Sequence, residues 1–128
     1  MIEMLAELIA GVLGLIKKGD YKQASEKLGR IYYDMLKEDA AYFRVIPEDK
    51  LTYKLLQEHN YTNGHLEILA ELFYVQAELF YAENDKTNAL ELYEKYIVLH
   101  NFLIQDSKTF SIDKEDIERK SKSHRLGL

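Results

Sequence analysis

One corner is written twice in this chain. Residues 19 to 24 read Gly-Asp-Tyr-Lys-Gln-Ala, and residues 84 to 89 read Asn-Asp-Lys-Thr-Asn-Ala. In each, a residue that tolerates the left-handed backbone region precedes an aspartate. That aspartate can accept from the free N–H groups of a new helix. An alanine follows four residues later, where the second helix must touch the first. Apolar stripes at helical spacing flank both corners, so the chain is committed to antiparallel helix pairs.

Aligning Ala24 with Ala89 places Leu28 over Tyr93 and Ile31 over Tyr96. The first helix is predicted over 2–17, with Ile2, Leu5, Ile9, Val12, Leu13 and Ile16 three and four apart. Ala6, Ala10 and Gly14, with Gly11 beside them, form a row of small residues. That row is expected to admit a neighbouring backbone. A second helix is predicted over 20–38, and a polar link follows. Pro47 suits the first turn of a third, short helix over 47–59 carrying Leu51, Leu55 and Leu56. The turn at 59–64 leads to a long helix over 63–83, with Leu66, Leu69, Phe73, Ala77 and Phe80 on one stripe. A fifth helix is predicted over 85–104. The helical domain is thus drawn at 1–105 and a polar tail at 106–128. Acids first and bases last suggest one more surface helix at 113–122.

Composition narrows the class further. One proline, no tryptophan and ten tyrosines in 128 residues favour an all-α chain. No run alternates apolar and polar residues as a strand would. Without cysteine there can be no disulfide, thiolate metal site or cysteine nucleophile. The same absence suits a reducing compartment, and a cytoplasmic location is expected. A net charge of −5 argues against nucleic acid as partner. The first apolar run contains Glu3 and Glu7 and is followed by Lys17 and Lys18, the wrong polarity for a signal peptide. It is also too short to span a bilayer.

The stretch from 70 to 99, AELFYVQAELFYAENDKTNALELYEKYIVL, resembles the tetratricopeptide repeat, an antiparallel helix pair of about 34 residues. Ala77 stands at the small first-helix position, Phe80 at the aromatic one, and Ala89 and Tyr93 at their places. Tyr96 departs from the pattern, which has a small residue there, and the terminal proline is missing. The copy over 5–38 is weaker, with Val12 at the small position and Leu15 at the aromatic one. Ala24 and Ala89 are 65 residues apart, close to two repeat lengths, yet no middle repeat is readable. The resemblance implies a right-handed stack of hairpins with an irregular insert, about five helices in all. The order of elements also resembles a small bacterial family of tetratricopeptide-like proteins of unknown function, which implies no activity.

Repeats of that family bind peptides or proteins on the face made by the first helix of each pair. Carried over, this implies a partner face of Glu71, Tyr74, Glu78 and Tyr81. The lysine, arginine and asparagine of the family's carboxylate clamp are absent. An acidic and aromatic face suits a basic or amphipathic helical segment instead. The competing reading packs Tyr74 and Tyr81 on the third helix or the tail and leaves the glutamates solvated. The first pair presents Ala6, Ile9, Leu13 and Ile16, an apolar face that must be core or be covered. The third helix, the tail or a second copy could cover it, and a homodimer is expected.

The chemistries of helical bundles were tested against the four histidines. None has an acid three residues before it, and neither His-x-x-x-His nor HExxH occurs. There is no glycine-rich phosphate loop, EF-hand or G-x-S-x-G motif. No cofactor or enzymatic activity is expected. His100 reads as a hydrogen-bonded core histidine beside Tyr96. His59 and His65 flank a turn across which they could meet a metal. The basic stretch 119–125 reads as a helix C-terminus nearly cancelled by the preceding acids. The expected function is therefore a protein-interaction module for adaptor or assembly work. The alternative is a small-molecule-binding regulator with a pocket lined by Tyr32, Tyr74, Tyr81, Tyr93 and Tyr96.

Overall fold

The two corners share one hydrogen-bonding scheme in the computed structural model, which describes residues 2–107. At the first, Gly19 lies at φ +83°, its N–H donates to Ile16 O (3.0 Å), and the Asp20 N–H reaches Leu15 O (2.9 Å). At the second, Asn84 lies at φ +66°, its N–H donates to Tyr81 O (3.0 Å), and the Asp85 N–H reaches Phe80 O (2.8 Å). Each is a Schellman turn that satisfies the last carbonyls of one helix. Each aspartate then caps the next helix. Asp20 Oδ1 accepts from Gln23 N and Asp85 Oδ1 from Asn88 N, both at 3.3 Å.

The fold is all-α, with no strand among the described residues. Helices α1 (Ile2–Lys17) and α2 (Tyr21–Leu36) form the first hairpin. Helices α5 (Asn63–Ala82) and α6 (Lys86–Ser107) form the second. Helix α5 also packs on both α1 and α2, so it is the centre of the molecule. It is apolar on most sides, as a central helix must be. Leu66, Leu69, Leu72, Phe73 and Ala77 are fully buried. At the corners Ala24 and Ala89 are buried too, where the paired helices cross. Fully burying one such leucine or phenylalanine contributes about 1.5–3 kcal/mol.

The segment joining the hairpins is less regular than the expected single helix over 47–59. It begins earlier, with α3 (Ala40–Arg44), capped where Asp39 Oδ1 accepts from Tyr42 N at 2.9 Å. Phe43 is fully buried and stacks on Tyr32 at 6.0 Å between centroids. The former "polar link" is therefore an anchor. After Pro47 come a 3₁₀ turn (Glu48–Lys50), one α turn, α4 (Leu51–Tyr53), and a π turn (Lys54–Glu58). The π turn closes with His59 N donating to Lys54 O at 3.2 Å. This winding keeps Leu51 and Leu55 in the core, as their spacing predicted, and leaves Leu56 half-buried.

One expectation about α1 is corrected. Ala6, Ala10 and Gly14 face outward, and a Cβ built on Gly14 would meet nothing within 4 Å. No backbone packs on that row. Only Gly11 is crowded, its Cβ position lying 2.7 Å from the Lys27 Nζ. The buried stripe runs instead through Leu5 and Val12. Helix α6 continues to Ser107, two residues past the expected domain limit of 105. The surface helix expected at 113–122 and the basic stretch 119–125 lie outside the described residues.

Candidate functional site

Because α5 is wrapped by its neighbours, only one stripe of its central turns reaches the surface. Glu67, Glu71, Tyr74, Glu78 and Tyr81 follow one another at spacings of four, three, four and three, which keeps them on one face. This stripe contains the four residues expected at the partner face and adds Glu67. Tyr81 is 57% exposed and Tyr74 39%.

The middle of the stripe is fixed by α6. Tyr74 packs edge-on against Tyr93 at 5.8 Å and lies 5.4 Å from Tyr96. Among the described residues its ring contacts are with α6, not with the irregular segment where the competing reading placed it, and most of the tail lies outside the described residues. The Glu78 carboxylate accepts from the Tyr74 hydroxyl and, with its charge, raises that phenol above its ordinary pKa. Tyr93 is pushed up to about 12, first by burial and then by the charge of Glu78. Glu78 is thus a clip between two helices. Glu67 and Glu71 are different: both are exposed, and neither lies in an ion pair with a lysine, arginine or histidine among the described residues.

At the Glu67 end of the stripe a cavity of about 340 Å³ opens between α1 and α6, floored by α5. Ala6 and Ile9 form the α1 wall, and Ile68 lies in the floor. Tyr96, His100 and Leu103 form the α6 wall, with Glu67 and Glu71 at the polar side. Among the described residues no lysine or arginine lines it. His100 was expected in the core; it is exposed, and its ring stacks on Tyr96 at 5.5 Å. Helix α6 turns that residue outward because Leu99, beside it, takes the buried position. The apolar face expected on α1 divides. Ile9 and Ile16 are half-buried against the core, Ala6 is exposed at the cavity, and Leu13 is 38% exposed.

Of the five tyrosines expected around one pocket, Tyr74, Tyr93 and Tyr96 are in ring contact, but the five do not line a common cavity. Tyr32 is fully buried against Phe43, where burial raises its pKa, and only Tyr96 of the five lines the cavity. His65 stacks on Tyr61 at 4.7 Å between centroids, and His59 lies tilted against the same ring at 5.2 Å. One ring nitrogen of each is already engaged. His59 Nε2 is hydrogen-bonded to the Tyr42 hydroxyl, and His65 Nδ1 accepts from Thr62 N at 3.0 Å. Among the described residues no group of three or more histidines and carboxylates is placed to hold a metal. None of the described helices is long and apolar enough to cross a membrane.

The cavity was not legible in the sequence. Glu67 could have been found by extending the stripe one turn, but the facing residues of α1 and α6 lie up to about a hundred positions apart in the chain. No protein-family model, curated protein or solved structure matches this chain.

Proposed function

We propose that this is a non-enzymatic, tetratricopeptide-like interaction module that holds a basic or amphipathic helical segment of another protein, in adaptor or assembly work. The observation that carries this reading is the stripe on α5. Its outer positions are carboxylates and tyrosines only, and Glu67 and Glu71 have no ion-pair cation among the described residues. Exposed carboxylates beside aromatic rings favour lysine and arginine, through charge and through the ring faces. Tyrosine also presents large contact area at low entropy cost. The rigid backing of α5 supplies the preorganisation that makes such contacts count.

The test is a titration with a lysine-rich amphipathic helical peptide and its glutamate-for-lysine counterpart. The lysine peptide should bind at least tenfold more tightly, and Glu71→Lys with Tyr81→Ala should remove most of that binding. Equal affinity for the two peptides would sink the reading. The alternative, a small-molecule-binding regulator, is favoured by one observation, the cavity volume, which falls within the roughly 300–1,000 Å³ of ligand clefts. Binding of an uncharged apolar dye there, with no response to peptide, would decide for it.

A further inference from the structure

The cavity and the stripe are continuous. Glu67 and Glu71 belong to both, and Tyr96 touches both Tyr74 of the stripe and the cavity. The cavity is predominantly apolar, yet among the described residues every formal charge on its rim is a carboxylate, with Tyr96 and His100 the remaining titratable side chains. A purely apolar occupant would leave those carboxylates without partners at the edge of a desolvated site. An anionic occupant would be repelled. The matching chemistry is a bulky apolar group with a cation one helical turn away.

Resting on the reading above, we infer that the cavity between Ile9, Ile68 and Leu103 is the anchor site of the partner helix. It takes one or two large aliphatic or aromatic side chains, while a lysine or arginine of the same helix pairs with Glu67 and Glu71. The remainder of the partner lies along Tyr74 and Tyr81. From Glu67 to Tyr81 is 14 residues, roughly 21 Å at about 1.5 Å per residue, so a partner helix of about four turns covers the site. Glu71 and Glu78 are seven residues apart on one face, with Glu67 one turn before them, so basic residues spaced seven apart on the partner would face Glu71 and Glu78 in register. The cavity fixes which end of the partner lies near α1, because the stripe has an apolar anchor at one end only.

The chain has no tryptophan, so emission from a peptide is seen without background. The probe is an 18-residue amphipathic helical peptide with lysines on its polar face and a single tryptophan on its apolar face. Against the full chain its emission should shift to the blue and become protected from iodide. Ala6→Phe fills the cavity from an exposed wall position without touching the core. It should abolish the shift and raise Kd at least tenfold, with the melting curve unchanged. Should Ala6→Phe destabilise the chain, Leu103→Ser serves as the second variant with the same readout. If Ala6→Phe leaves Kd and emission unchanged while Glu71→Lys with Tyr81→Ala removes binding, the anchor site is overturned and the stripe stands. If the lysine peptide binds no better than its glutamate counterpart, both fall. A wild-type dimer that Ala6→Phe dissociates would assign the cavity to a second copy and overturn the inference.

Discussion

Lys95, in the middle of α6, donates from its Nζ to the backbone carbonyl of Arg44, 51 residues earlier in the chain. The side chain is 5% exposed, and its only carboxylate neighbour within ion-pair distance among the described residues is Glu91, at 3.8 Å. The link clips the irregular segment to the second hairpin. Arg44 adds to it by laying its guanidinium over the Phe80 ring, 4.8 Å from the centroid. A charge-assisted hydrogen bond of this kind is worth about 1.5–3 kcal/mol, and its loss leaves a carbonyl unpaired. Lys95→Ala should therefore lower stability by about 1–3 kcal/mol in urea melts. Hydrogen exchange should rise first in residues 40–58. Uniform loss of protection across all helices would contradict the clip.

The two corners make a paired prediction. Gly19 needs its positive φ, so Gly19→Ala should cost about 1–2 kcal/mol. Asn84 holds the same conformation as a residue that tolerates it, so Asn84→Gly should stay within about 0.5 kcal/mol of wild type. Denaturant midpoints for the two variants check this. An Asn84→Gly loss as large as that of Gly19→Ala would mean the corners are not equivalent.

Ala24 and Ala89 follow the two corners and are almost wholly buried. Enlarging either to leucine should cost about 1–3 kcal/mol by forcing the paired helices apart. Ser25→Leu, one residue along on the exposed side, should change stability by less than about 0.5 kcal/mol. Thermal melts of the three variants make the comparison.

Alkaline pH should unfold the protein. Burial raises Tyr93 from its ordinary 10.0 to about 12, and Tyr32, Tyr61 and Tyr74 are raised as well. Between these values the unfolded chain releases phenolic protons that the folded chain keeps. The contribution is therefore complete below pH 10 and lost as pH rises through 12. Lys95 acts the other way: burial lowers it from 10.5, so its contribution improves over the interval below that value. Four tyrosines outweigh one lysine, and urea midpoints should fall between about pH 9 and about pH 11. Glu78→Gln should bring the Tyr74 and Tyr93 titrations down, seen as earlier phenolate absorbance. An unchanged titration would remove Glu78 from its place between the two rings.

What local chemistry specifies was readable from the residues. The four long helices follow from apolar spacing, and both corners follow from a left-handed residue before an aspartate. These depend on backbone conformation and capping within a few residues, which a sequence displays directly. The α5 stripe was reached through the resemblance, which implied Glu71, Tyr74, Glu78 and Tyr81, and their three- and four-residue spacing does keep them on one face. Three features were decided only by tertiary structure. Whether the Ala6–Ala10–Gly14 row would be covered depended on which side of α1 met α5, and Leu5 with Val12 took that side. His100 turned outward because Leu99 won the buried position. The cavity exists because α1 and α6 stand apart over the first turns of α5, a separation set by side chains from three helices at once. Periodicity reports which face of a helix is apolar; the distance between two such faces is a property of the packing they share.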